Sequence, residues 1–242
     1  MSHPMDCFDR IFIINLPSRT DRQAEITAQL KKIGLSLAEG HVELFPAVRP
    51  DAAEGFPSIG AHGCFMSHLA VLRAAQNLGL QRVVIFEDDL DFVVDFNGRI
   101  QPLLSRLTST DWSIFYGGSH VERPLRGQPL QELLEAQPDE AFKTAHFVAF
   151  QGEAIEAAVR YLQAMLTRPA GDPAGGPMHV DGAYNWFRRA NPQFKTLLAI
   201  PELGFQRASR TDIHELRWYD RVPLFREGMA SLRQVKNALI RR

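Results

Sequence analysis

The feature that most constrains the fold is an apolar run that ends directly in acidic residues. Residues 83–91 read VVIFEDDLD, so Glu87, Asp88 and Asp89 follow four hydrophobic residues with no turn residue between them. The run predicts a buried strand with carboxylates at its end. On an extended backbone Glu87 and Asp89 lie on one side and Asp88 on the other, so Glu87 and Asp89 can share a hard divalent cation. The alternative is a solvated strand end whose acids cap the next helix.

The rest of the chain predicts strands alternating with helices. A strand at 10–15 precedes a helix that begins near Asp21 and stops at Gly34. Further strands are predicted at 42–48, 83–86, 112–118 and 145–151, further helices at 64–78 and 153–166, and loops at 50–63, 119–140 and 168–177. This order predicts an α/β fold with a mostly parallel central sheet. Ligands of such sheets bind beyond the carboxyl ends of the strands.

Composition narrows the class of protein. The 242 residues are 45% hydrophobic, enough for one large core. A formal net charge of -1 lacks the basic excess of a nucleic-acid binder, which favours a small-molecule or glycan partner. Cys7 and Cys64 are too few for a disulfide framework, and no window approaches the roughly 20 apolar residues of a membrane span. We therefore expect a reducing, cytoplasmic location.

Polar residues follow the first predicted strand. The segment NLPSRTDR places Asn15, Arg19 and Arg22 at its carboxyl end, where guanidinium groups suit phosphate or a uracil edge. These three residues and Asp88 are the candidate residues for binding a donor that carries a nucleotide diphosphate. Asp21 offers a simpler alternative, in which it caps the helix and both arginines are exposed.

The segment GAHGCFMSHLAVL carries two glycines that permit close backbone approach, followed by Ser67 and His68. Because His68 has apolar neighbours, a hydrogen-bonded core histidine is one interpretation and a catalytic residue the other. Ser67 has no Ser-His-Asp context, so no hydrolase triad follows from the spacing.

Two later segments supply further candidates. In HVDGAYNWF, Asp181 either caps a helix, acts as general base on an acceptor hydroxyl, or binds a hydroxyl of a donor sugar. Tyr184 and Trp186 are candidates for stacking on a sugar. In GFQRASRTDIH, Gln206 is a donor-binding candidate and His214 a metal ligand, with a surface histidine as the alternative.

The C-terminal residues 217–242 form a predicted unit of their own, after a catalytic domain over 1–216. They contain seven Lys or Arg against two acids, with apolar residues at helical spacing. Such a basic amphipathic helix either contacts anionic lipid at the inner face of the cytoplasmic membrane or packs its apolar stripe on the domain.

Six blocks in this order resemble glycosyltransferase family 25, which comprises lipopolysaccharide-type glycosyltransferases and relatives of collagen galactosyltransferases. They are IINLPSRTDR, GCFMSHLAVL, VVIFEDDLDF, AHFVAF, the Val180-Asp181 pair and PELGFQRASRTDI, over roughly residues 10–214. The resemblance implies a GT-A-like, Rossmann-type fold that binds a nucleotide sugar, and Mn²⁺ or Mg²⁺ at Glu87, Asp88 and Asp89. It also implies inverting transfer of a hexose, galactose-type, from a UDP-sugar to a glycan or lipopolysaccharide-type acceptor.

Two other classes stay open at this point. Acids after a strand also occur in magnesium-dependent phosphatases and phosphotransferases, although no lysine here lies in a recognisable partner motif. A nucleotide-sugar-binding protein without turnover is the non-enzymatic alternative.

Overall fold

The computed structural model describes residues 3–120 and 132–207, in which strands alternate with helices as predicted. A short 3-10 helix, Pro4–Cys7, comes first. The strands are β1 (Arg10–Asn15), β2 (Val42–Pro46), β3 (Arg82–Glu87), β4 (Leu90–Phe92), β5 (Ile114–His120), β6 (Glu132–Ala136), β7 (Lys143–Gln151), β8 (Thr196–Ile200) and β9 (Gly204–Gln206). The helices are α1 (Thr20–Ile33), α2 (Ile59–Asn77), α3 (Phe96–Ser109), α4 (Glu153–Leu166) and α5 (Val180–Ala190).

The central sheet of the described residues has seven strands in the order β2-β1-β3-β7-β5-β8-β6. Strand β1 is parallel to β2 and β3, and β5 is parallel to β8. Strand β7 is antiparallel to β3 and β5, and β6 is antiparallel to β8. Five of the seven strands therefore share one direction, and the predicted α/β fold with a mostly parallel central sheet is confirmed.

Both faces of the sheet are buried, which explains why its strands are continuous apolar runs. Along β1, Phe12 and Ile14 pack on one face with α2, α4 and α5, while Ile11 and Ile13 pack on the other with α1 and α3. The alternation follows from the period of two along a strand. The result is a three-layer sandwich that holds the carboxyl ends of β1, β2 and β3 side by side.

Local signals place two of the helices well. Helix α1 ends at Gly34, whose φ of 84° is the left-handed conformation that glycine adopts without strain. Helix α4 has its predicted bounds.

Helix α2 begins at Ile59, so the prediction of a loop over 59–63 is wrong. The cause is Ser58, whose side chain accepts a hydrogen bond from the Ala61 N–H and caps the helix there.

Other predicted elements differ from the structure or fall outside the described residues. Helix α3 was not predicted, and β6 lies within the predicted loop 119–140, because pairing with β8 rather than local composition makes it a strand. Strand β5 also extends into that predicted loop as far as His120, and residues 121–131 lie outside the described residues. So do Asp212, His214 and the predicted helix 217–242. Among the described residues no helix is long and apolar enough to cross a membrane.

Candidate active site

A cleft of about 450 Å³ opens where the parallel strands β1, β2 and β3 end. The register between β1 and β3 sets Ile14 beside Glu87, which brings the two polar strand ends together. The loop after β1, the loop after β2, the first turns of α2 and the acidic turn after β3 form the walls. Its polar and small lining residues are Ser18, Arg19, Arg22, Arg49, Gly60, Gly63, Cys64, Ser67, Glu87, Asp88 and Asp89.

The chain turns directly after Glu87, so the backbone is not extended through the acidic motif. Glu87 is the last residue of β3, and Asp88 and Asp89 form the turn into β4. All three carboxylates line the same cleft. The prediction that Asp88 lies on the opposite side from Glu87 and Asp89 is therefore wrong, because the alternation of an extended strand ends where the chain turns.

Asp88 is held by two of the predicted donor-binding residues. Its carboxylate accepts a hydrogen bond from Asn15 Nδ2 at 2.8 Å and forms an ion pair with Arg22 Nη1 at 2.8 Å. Burial nevertheless raises the pKa of Asp88, against the charge of Arg22. The sequence therefore placed Asn15, Arg22 and Asp88 correctly at one end of the sheet, and the structure shows that they fix one another.

Asp89 is 4% exposed, and one of its two carboxylate oxygens has no hydrogen-bond partner among the described residues. Its Oδ2 accepts a hydrogen bond from Gln206 Nε2 at 3.2 Å, while its buried Oδ1 has no partner within the described residues. Gln206 reaches it because β9 pairs with β4. Burial, and then the negative charge of Glu87, raise the pKa of Asp89 to about 7. A nearby cation would stabilise the charged form of a carboxylate that is buried beside another carboxylate.

Glu87 contacts the residues of helix α2 beneath the cleft. Its Oε1 lies 3.2 Å from His68 Nε2 and 3.7 Å from Cys64 Sγ. His68 is fully buried, and its Nδ1 lies 3.1 Å from the Tyr184 hydroxyl. Burial disfavours the charge of Glu87, but the hydrogen bond and charge of His68 outweigh it and lower the pKa of Glu87. His68 is thus a hydrogen-bonded core histidine that also contacts the acidic motif.

Arg49 is a cleft residue that the sequence reasoning missed. It is exposed, lines the cleft, and has no hydrogen bond or ion pair to the described part of the chain. Arg19 also lines the cleft and pairs with Asp21 at 2.8 Å in an exposed contact. The signal for Arg49 was its position just after β2, equivalent to that of Arg19 after β1.

Gly63 allows the loop after β2 to contact helix α2. A Cβ atom at this position would lie 2.7 Å from the Val48 carbonyl oxygen and 3.2 Å from Pro50 Cδ. The predicted close backbone approach is confirmed for this glycine. Any larger residue would push the Arg49 loop away from the cleft.

Asp181 lies on the first turn of α5, outside the set of cleft-lining residues. Its Oδ2 accepts a hydrogen bond from the Thr144 N–H at 3.1 Å, and its Oδ1 accepts one from the Gly182 N–H at 2.7 Å. Its charge contributes to the raised pKa of Cys64, which does line the cleft. Tyr184 is fully buried in the core, so the prediction that it stacks on a sugar is wrong; Trp186 is half-buried.

Comparison with known proteins supports the resemblance drawn from the motifs. Residues 56–128 match the sequence profile of glycosyltransferase family 25, described as an LPS biosynthesis protein. Procollagen galactosyltransferase 1 of Danio rerio is 33% identical over 152 residues, which are 53% of this chain and 25% of that protein. The human inactive glycosyltransferase 25 family member 3 is 27% identical over 135 residues, which are 48% of this chain and 23% of that protein.

The chain spans about a quarter of the length of these curated relatives. Among solved structures, a glycosyltransferase involved in the glycosylation of the major capsid of PBCV-1 is 11% identical with a TM-score of 0.42, over 84% of this chain and 93% of that one. The resemblance to glycosyltransferase family 25 is confirmed. The relatives support a glycosyltransferase, and they include both galactosyltransferases and family members named inactive.

Proposed function

We propose that this chain is a metal-dependent glycosyltransferase that moves a galactose-type hexose from a UDP-sugar onto a glycan or lipopolysaccharide-type acceptor, with inversion. One observation carries the proposal. Three carboxylates and three arginines, from three separate segments, line one cleft at the carboxyl ends of parallel strands. Its volume of about 450 Å³ lies in the range of small-molecule sites. Mixed charge of this kind suits a diphosphate together with a divalent cation.

The residues present fit a hard cation. Both carboxylate oxygens of Asp88 already have partners in Asn15 and Arg22, whereas Asp89 has a buried oxygen with none in the described residues. Glu87 and Asp89 are therefore the residues that would hold Mn²⁺ or Mg²⁺, and oxygen ligands are what these ions prefer. When bound, the ion would bind the donor diphosphate and offset charge on the leaving group. The other predicted ligand, His214, lies outside the described residues.

The arginines of the cleft would bind the donor phosphates. Arg49 is exposed and uncommitted within the described residues, so its guanidinium is available to a diphosphate. Arg19 pairs with the exposed Asp21, and ion pairs at the surface are weak enough for the arginine to exchange its partner for a phosphate. Arg22 and Asn15 act differently, because they hold Asp88 in the floor of the site.

Asp181 is the proposed general base. It takes the proton of the acceptor hydroxyl as that oxygen bonds to the anomeric carbon, while the bond from that carbon to the phosphate oxygen breaks and UDP leaves. Attack from the face opposite the leaving group inverts the anomeric centre. Two backbone N–H groups orient the Asp181 carboxylate for this role.

We also propose a cytoplasmic location. Both cysteines of the chain are free thiols, which suits a reducing compartment.

Release of UDP tests the function directly. Purified protein is incubated with a panel of UDP-hexoses and candidate acceptors, with Mn²⁺, with Mg²⁺ and with a chelator. We expect one donor to give acceptor-dependent UDP release that stops when the metal is chelated. Turnover that is indifferent to the chelator would contradict the metal assignment.

The inactive relatives favour one alternative, a nucleotide-sugar-binding protein without turnover. A thermal-shift panel separates the two, because a bound ligand stabilises the folded state whether or not it reacts. Metal-dependent stabilisation by a donor without UDP release from any acceptor would identify a binding protein.

The exposed Arg49 gives a prediction that separates donor binding from fold. Arg49→Ala should weaken donor binding about tenfold, since a charge-assisted hydrogen bond at an exposed site contributes about 1.5 kcal/mol. Isothermal titration with the UDP-sugar and Mn²⁺ measures it. Arg160→Ala is the matched control, because Arg160 is an exposed arginine on α4, outside the cleft lining, that pairs with its helix neighbour Glu156. Equal dissociation constants for the two variants would remove Arg49 from the donor site.

A further inference from the structure

We propose that Cys64, His68 and Glu87 form a zinc-binding site at the floor of the cleft, and that zinc bound there competes with Mn²⁺ or Mg²⁺ for Glu87. The zinc site stands on its own geometry. The competition rests on the proposed function, because it assumes that Glu87 holds the hard cation.

Two of the three separations between the ligand atoms are already close to those of a tetrahedral site. Cys64 and His68 lie four residues apart on one face of α2, which faces the end of β3. Cys64 Sγ lies 3.7 Å from Glu87 Oε1, His68 Nε2 lies 3.2 Å from the same oxygen, and all three atoms lie within 4.8 Å of one another. Zinc bonds of about 2.3 Å to sulfur and about 2.0–2.1 Å to nitrogen and oxygen separate tetrahedral ligands by about 3.3–3.6 Å. Zinc binding would therefore need only small movements of these three side chains.

A buried hydrogen bond orients the histidine toward the site. The Tyr184 hydroxyl contacts His68 Nδ1 at 3.1 Å, and both side chains are fully buried. The ring is therefore fixed with Nε2 toward Glu87. Histidines that bind metals are usually held through their other nitrogen in this way.

The site is open on one side. Cys64 and Glu87 line the cleft, whereas His68 lies behind them in the core. A zinc ion on three protein ligands would therefore present its fourth position to the cleft, as zinc sites that exchange water or a ligand do.

The charge around the thiol favours a dication. Burial, and then the negative charges of Glu87, Asp89 and Asp181, raise the pKa of Cys64 well above its usual range. When zinc binds, a sulfur–zinc bond replaces the sulfur–hydrogen bond of the thiol, and the proton passes to solvent. The same three carboxylates then face a positive ion instead of one another. Because thiolate is a soft ligand, the site selects zinc over Mn²⁺ and Mg²⁺.

Cobalt tests the site without any enzymatic assay. Co²⁺ is titrated into the reduced full-length protein, and the absorption of thiolate-to-cobalt charge transfer is recorded before and after Zn²⁺ is added. We expect a one-to-one band that zinc abolishes. Cys64→Ser should remove the band and weaken zinc binding by more than about 100-fold, because loss of an outer partner alone already costs about 10–100-fold. Cys7→Ser is the matched control and should keep the band.

The outcomes separate the two parts of the proposal. No band in the wild-type protein, or an equal band in Cys64→Ser, would overturn the zinc site and leave Tyr184, His68, Glu87 and Cys64 as a plain hydrogen-bond chain. If zinc binds, transfer is assayed against zinc at low and high Mn²⁺, and relief by Mn²⁺ supports competition for Glu87. Inhibition that Mn²⁺ does not relieve overturns the competition. A protein with no transfer from any donor overturns the proposed function, while the cobalt titration still decides the site.

Discussion

Asp89→Asn is expected to lower the transfer rate about 1,000-fold while the fold remains intact. The substitution removes a charged oxygen ligand from the proposed cation site but keeps the shape of the side chain. Stabilisation of leaving-group charge by a metal is worth several kcal/mol, and about 4 kcal/mol corresponds to three orders of magnitude in rate. UDP release at saturating donor and Mn²⁺ measures the change.

The stability of this variant distinguishes a lost ligand from a lost fold. Asp89 is buried beside Glu87 and Asp88, and its pKa is raised to about 7, so its charge opposes folding in the absence of metal. A neutral amide relieves that repulsion. We therefore expect a melting temperature equal to or above that of the wild type without metal, and no further increase when Mn²⁺ is added.

The control for this experiment is Asp111→Asn, which removes an exposed carboxylate paired with Lys195 on the surface. It should keep both activity and the Mn²⁺-dependent thermal shift. A persistent Mn²⁺ shift in Asp89→Asn, with activity near wild type, would show that the cation binds elsewhere.

Asp181→Asn should lower the transfer rate about 100-fold with donor affinity near that of the wild type. Loss of a positioned general base costs 10²–10⁴-fold, and Asp181 is proposed to act on the acceptor rather than on the donor. Single-turnover transfer at saturating donor, together with titration of the donor alone, separates the two effects.

The Asp181→Asn substitution is also expected to lower the stability of the fold. The Asp181 carboxylate accepts the N–H of Thr144, a residue with a φ of 72° that only a few non-glycine residues adopt. An asparagine presents one acceptor oxygen to two backbone N–H groups, so we expect a loss of about 1 kcal/mol in the free energy of unfolding. The kinetic assay must therefore be run well below the melting temperature of the variant.

Glu153→Gln is the matched control for Asp181→Asn. Glu153 is an exposed acid on the first turn of α4, which follows β7 at the opposite end of the sheet, where Gln151 pairs with Arg82. It should leave both rate and donor affinity unchanged. If Asp181→Asn lost donor binding but kept its maximal rate at saturating donor, Asp181 would be a ligand of the donor sugar. The base would then have to be sought among Asp88, Asp212, Glu122 and Glu132.

The amino-acid sequence determined the features that depend on neighbouring residues. The bounds of β1 and α4, the stop of α1 at Gly34 and the acids at the end of β3 follow from apolar periodicity, capping and glycine conformation. The α/β class followed from the order of these elements. The carboxyl-end rule then placed Asn15, Arg22 and Asp88 at one edge before any contact was known.

The tertiary structure decided what those residues contact. Strand β6 exists because it pairs with β8, and Asp88 faces the same cleft as Glu87 because the chain turns there. Gln206 reaches Asp89 across 117 positions of sequence, and the Tyr184 hydroxyl reaches His68 across 116. Such contacts depend on strand order and helix packing, which the local pattern does not encode. The sequence therefore indicated where the chemistry lies, and only the folded chain decided which carboxylate oxygen lacks a partner among the residues that the structure describes.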